Sequence, residues 1–111
     1  MLRQAGAVGY NSGVAMFLVR VSQSGPAWDP SKPMEEQSDW DAHAEFMDAL
    51  VDDGFIVLGG PLTADRQVAH AVEAESEDAI RARLAADPWS ESHLVIEQVE
   101  PWTIRLDGRG R

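Results

Sequence analysis

Three features of the chain predict an α+β fold built on an antiparallel sheet. Four short runs rich in β-branched and apolar residues begin near Met16, Phe55, Gln67 and His93. Two stretches with polar starts and apolar residues at helical spacing separate the first run from the second and the third from the fourth. The resulting order is β-α-β-β-α-β, the split βαβ arrangement of ferredoxin-like folds, with both helices on one face of the sheet.

The first strand spans Met16–Ser22, with Arg20 its only charge. Residues 24–37 then hold Gly25, Pro26, Pro30 and Pro33 and read as a loop. That loop exceeds the usual connection of about 4–6 residues, as binding loops and lids do. Trp28 inside it either covers a pocket or pins the loop to the body. Ser38 and Asp41 have capping-box spacing, and Glu35, Glu36, Asp39 and Asp41 place negative charge at the positive end of the helix that follows. Trp40, His43, Met47 and Leu50 form its apolar stripe, whereas Asp41, Glu45, Asp48 and Asp52 mark its wet face. Gly54 is the expected left-handed stop.

Phe55–Leu58 reads as a second strand, ended by Gly59, Gly60 and Pro61, with a turn over residues 62–66. Gln67–Glu73 alternates as a third strand. Ser76 caps a second helix through Ala86, with Ile80 and Leu84 an i,i+4 apolar pair. Asp87 ends it, because a residue before proline avoids the helical region. His93–Glu100 is the fourth strand, and residues 101–104 trail off as an edge or dimer-contact segment. Residues 1–15, rich in Gly and Ala, read as a flexible extension, with Met16 an alternative translation start, and 105–111 read as a loose tail.

At 111 residues and 44% hydrophobic content the chain makes one modest core. The helices cover one face of the sheet, no third helix is available for the other, and a second copy of the chain is the economical cover. A net charge of −10 argues against nucleic acid as a partner. The absence of cysteine excludes disulfides and thiolate metal sites and fits a reducing cytoplasm. No apolar run approaches the roughly 20 residues of a membrane helix.

His43 is the first candidate for chemistry. A titratable ring on an apolar helix face is either a core histidine bonded to a backbone carbonyl or an acid–base group. Asp87 is either turn chemistry or the carboxylate that fixes that ring's tautomer. Gly59, Gly60 and Pro61 suit a pocket wall and equally an ordinary strand exit. His70 alternates with Val68 and Val72, and His93 with Val95 and Val99. Neither has an acidic partner at ligand spacing, so no metal is expected. No Gly-rich phosphate loop or nucleophile elbow occurs, and no cofactor is expected.

His43 eleven residues before Gly54, then Gly60 and Pro61, then Asp87, Pro88 and Trp89, then Pro101 and Trp102, together resemble the YCII-related domain family over residues 16–104. The resemblance implies a dimeric α/β barrel in which two four-stranded sheets pack face to face. It also implies an active-site pocket where the helix histidine meets the aspartate of the Asp-Pro corner, positions taken here by His43 and Asp87. The long 24–37 loop and the front extension depart from the family pattern. Relatives in the wider barrel group include muconolactone isomerase-like and chlorinated-hydroquinone dehydrochlorinase-like enzymes and cofactor-free monooxygenases. That is likeness of fold, and it points to small cyclic or aromatic molecules.

Two readings follow. In one, the protein is a cofactor-free isomerase or lyase with His43 as general acid/base and Asp87 orienting it. Trp40 and Trp89 then supply apolar wall, and the Gly59 and Gly60 backbone supplies amide donors. In the other, the same pocket and dimer form a non-catalytic small-ligand-binding or accessory module.

Overall fold

The computed structural model describes residues 14–63 and 66–109. Residues 1–13 of the expected front extension, residues 64 and 65 of the expected turn and residues 110 and 111 of the expected tail lie outside that set. Strand β1 (Ala15–Ser22) leads through a short 3-10 turn (Met34–Glu36) to helix α1 (Trp40–Asp52). Then come β2 (Ile56–Pro61), β3 (Gln67–Ala74), helix α2 (Glu77–Leu84) and β4 (Val95–Pro101). The four strands form one antiparallel sheet in the order β2-β3-β1-β4. Among the described residues no helix is long and apolar enough to cross a membrane.

Side-chain alternation sorts the sheet into two faces. The rows Phe17 with Val72, Val19 with His70 and Val21 with Val68 carry the face that packs under the helices. Phe17, Val19, Val21, Val68 and Val72 join Leu50 of α1 and Ile80 and Leu84 of α2 in one buried cluster. The opposite rows set Leu18 beside Ala71 and Arg20 beside Ala69, and β2 adds Leu58 beside Ala71. Leu58 is 64% exposed there.

The helix stripes follow the sequence, with His43 and Leu50 buried on α1 and Ile80 and Leu84 on α2. Ser76 caps α2 by accepting from the Ala79 amide at 3.0 Å. Gly54 takes φ +81° just past the end of α1, the left-handed stop expected of it. The capping box expected at Ser38 and Asp41 does not form. The N-cap is Asp39, in the left-handed region at φ 61°, and it makes no side-chain cap bond. The Ser38 hydroxyl is engaged instead with the His93 ring.

Three boundaries differ from expectation. Gly59, Gly60 and Pro61 do not end β2 but continue it, pairing with His70, Ala69 and Val68 of β3. His93 does not open β4, which begins at Val95, but lies in the preceding turn at 1% exposure. Helix α2 stops at Leu84, two residues short of Ala86, and a tighter turn completes it, with the Ala86 amide donating to the Arg83 carbonyl.

The 24–37 loop is held by its own chemistry. Gln37, 4% exposed, accepts from the Asp29 amide at 2.8 Å and donates to the carbonyls of Asp29 and Lys32 at 2.7 and 3.0 Å. The amides of Gly25 and Ala27 donate to the carbonyls of His93 and Ser92, which bolts the loop to the segment before β4. Trp28 meets Trp89 edge to face at 5.8 Å, so it pins the loop rather than facing the cavity described below.

Candidate active site

Helix α1 carries His43 toward the turn after α2, where Asp87 ends the helix. The His43 Nδ1 lies 2.9 Å from both carboxylate oxygens of Asp87, across 44 residues of sequence, and both residues are buried. Asp87 is held independently of the ring, since its Oδ1 accepts from the Trp89 amide at 2.8 Å and its own amide donates to the Leu84 carbonyl. A carboxylate at Nδ1 keeps a proton there and leaves Nε2 as the free basic nitrogen. Nε2 has no hydrogen-bond partner among the described residues, and it is not one of the nitrogens sealed without one.

Trp89 is the floor of this arrangement. It is fully buried, and its indole stacks on His43 at 4.0 Å with 7° between planes and on His93 at 4.7 Å with 15°. Its Nε1 donates to the Ser38 carbonyl at 2.8 Å. His93 is satisfied at both nitrogens, by Ser38 Oγ and Ser92 Oγ, each at 2.9 Å. Burial lowers its pKa, with His43 adding to the effect while Asp39 and Asp87 oppose it. His93 is therefore a structural histidine. Trp40 leans on both His43 and Trp89 at 5.8 and 5.7 Å between ring centres.

Beside the pair lies a cavity of about 310 Å³ walled by Asp87, Met47, His70, Leu84, Leu94 and Ile96, with Arg81 and Glu91 among its charged residues. That is the small end of the roughly 300–1,000 Å³ common for small-molecule sites. None of the expected wall residues Trp40, Gly59, Gly60, Pro61 and Trp89 lines it. The indoles are spent on packing His43 and the 24–37 loop, and the glycines are spent on strand pairing. His43 itself is not in the wall; Asp87 stands there, and Met47 stands there one helical turn from His43.

His70 also lines the cavity, a position its sequence context does not mark as a site. Its alternation with Val68 and Val72 was the available signal, because it places the ring on the helix-covered face. The ring lies across Gly59, where an added Cβ would meet Nδ1 at 2.0 Å, and that Nδ1 is buried without a partner. Burial, reinforced by His43 and opposed by Asp87, pushes its pKa down to about 4.

A sequence profile of the YCII-related domain matches residues 16–103. The chain belongs to the YCII-related domain family. No curated protein and no solved structure matches it. In this YCII domain the matched segment contains β1 from its second residue, the other three strands, both helices, His43, Asp87 and every residue of the cavity wall.

Proposed function

We propose that this YCII protein is a cofactor-free isomerase or lyase acting on a small cyclic or aromatic molecule by proton transfer at His43. The observation that carries this is the buried contact of His43 Nδ1 with Asp87, which leaves Nε2 as the unpaired base. His43 removes a proton from a carbon of the bound molecule. The electron pair released shifts toward an acceptor group, and His43 then returns the proton at another atom or a leaving group departs. Asp87 holds the tautomer and stabilises the imidazolium in between. Met47, a flexible side chain four residues from His43 on α1 and part of the cavity wall, moves to admit the substrate to Nε2.

A homodimer completes the proposal. Among the described residues no helix lies over the sheet face bearing Leu18, Leu58, Ala69 and Ala71, and a second copy laid across it buries the exposed Leu58.

The test is deuterium exchange. The protein is incubated in D2O with a panel of lactones, cyclic ketones and phenols, and loss of carbon-bound proton signal is followed by NMR. Exchange that disappears in His43→Ala while the variant stays folded supports the reading. Binding without exchange supports instead a non-catalytic ligand-binding module, the reading favoured by the absence of His43 from the cavity wall.

A further inference from the structure

We infer that His70 is a second catalytic imidazole in this cavity, a neutral Nε2–H donor that receives the carbonyl oxygen of the substrate. The inference rests on the acid–base reading of His43 and deepens it by naming the substrate class: an uncharged molecule whose reacting C–H lies next to a carbonyl.

The argument begins with the ring's two nitrogens. Nδ1 is sealed and unpartnered, and it occupies the space a side chain at position 59 would fill. A hydrogen on Nδ1 would point into the Gly59 backbone, whereas a lone pair tolerates the Cα–H groups there. The proton therefore sits on Nε2. His70 lines the cavity, and with Nδ1 closed off Nε2 is the nitrogen left to meet a ligand.

The surroundings keep that imidazole uncharged. Val19 flanks it on β1, while His43 on α1, Arg81 on α2 and Asp87 and Glu91 on the following turn supply the titratable and charged groups near it. With its pKa near 4 the ring is neutral at pH 7. A neutral imidazole donor suits an oxygen on which charge develops only during reaction, because it strengthens its bond as the enolate forms. The charges of the wall also fit a ligand that is not an anion: Asp87 is paired with His43 and Arg81 with Glu77 at 2.8 Å, so the wall's cation is already engaged.

The step balances. His43 Nε2 takes the proton from the carbon beside the carbonyl, and the C–H pair becomes a C=C bond. The C=O π pair moves onto oxygen, where His70 Nε2–H donates to it. Where the substrate also carries a β,γ double bond, the enolate is a dienolate and takes the proton back from His43 at the γ carbon. Where it carries a β leaving group, that group departs with its electron pair and His43 gives its proton to it or to solvent.

Two measurements test this. Long-range 15N–1H correlation spectra of the unmodified protein at pH 7 should show His70 neutral and protonated at Nε2. An Nδ1–H tautomer or a charged ring overturns the inference, and neither outcome depends on finding a substrate. The second probe is 4-nitrophenol, whose ionised form mimics an enolate oxygen and absorbs near the visible edge. The unmodified protein should bind it as the phenolate. His70→Leu should weaken binding about tenfold or more, the worth of one hydrogen bond to a charged oxygen. His70→Gln, whose amide reaches a similar position, should recover most of it. Phenolate binding indifferent to His70, alongside exchange that needs His43, removes the carbonyl assignment and leaves the acid–base reading. Phenolate binding governed by His70 with no exchange on any carbon acid does the reverse. No phenolate binding at all overturns the inference.

Discussion

Substituting Gly59 by alanine isolates the contact that fixes His70. The new methyl would stand 2.0 Å from Nδ1, 2.9 Å from Cε1 and 3.0 Å from Cγ of the imidazole. Comfortable carbon contacts lie at about 3.5–4.0 Å, so the ring must move by an ångström or more or β2 must back away from β3. Neither is cheap, because Gly59 is paired with His70 across the strands and His70 with Val19 on the other side. Overpacking of this kind costs about 1–3 kcal/mol. For a domain of this size each kcal/mol lowers the melting temperature by roughly 4–8 °C. In a His70→Ala background the same alanine meets no ring, and it should add about 0.5–1 kcal/mol because glycine weakens a strand interior. The reversal of sign is the signature, with a coupling of about 1.5–4 kcal/mol between the two sites in a urea-denaturation double-mutant cycle. A Gly59→Ala penalty of the same size in both backgrounds would refute the packing argument.

Three further outcomes follow. His70 titrates near 4 in the folded protein and near 6.5 when unfolded, so between those values only the unfolded chain takes up the proton. Its contribution is whole above pH 6.5 and is lost as pH falls toward 4, to about 3 kcal/mol; denaturation curves across that range should flatten in His70→Gln. Asp87→Asn removes the carboxylate charge and offers an NH2 that can donate to His43 Nδ1, shifting the ring to the wrong tautomer, so exchange in D2O should slow by roughly 10²–10⁴-fold while the far-ultraviolet circular dichroism is unchanged. Gln37→Ala breaks three hydrogen bonds of the 24–37 loop, and limited proteolysis should then cut within residues 26–33 well before the rest of the domain.

The order of strands and helices was readable because each element announces itself locally. Ile80 and Leu84 keep helical spacing, Val68 and Val72 keep strand alternation, and Gly54 marks a stop that only a positive φ requires. The meeting of His43 with Asp87 was legible through resemblance alone, since nothing in a sequence separation of 44 fixes where two elements meet. Competition between partners hid the rest. Ser38 has the chemistry of a helix cap, but a histidine at 1% exposure needs hydrogen bonds more than an exposed helix start does, and its hydroxyl goes to His93. Gly59 and Gly60 carry turn residues' freedom, yet one of them serves to let a neighbouring ring lie flat across a strand. A preference for left-handed backbone and a need for empty space are indistinguishable in a letter G.

Trp89 binds the Asp87 turn through its amide and the start of α1 through its indole N–H, and it stacks on the His43 ring. The His43–Asp87 pair is thereby registered by one residue outside the cavity beside it. The side chains of Leu84, Leu94, Val95 and Ile96, which shape that hollow, make none of these contacts; Leu84 and Leu94 hydrogen-bond to the turn through backbone atoms alone. If the pair handles protons as proposed, side-chain replacement at those four aliphatic positions would retarget which compound is accepted while His43 and Asp87 keep their alignment.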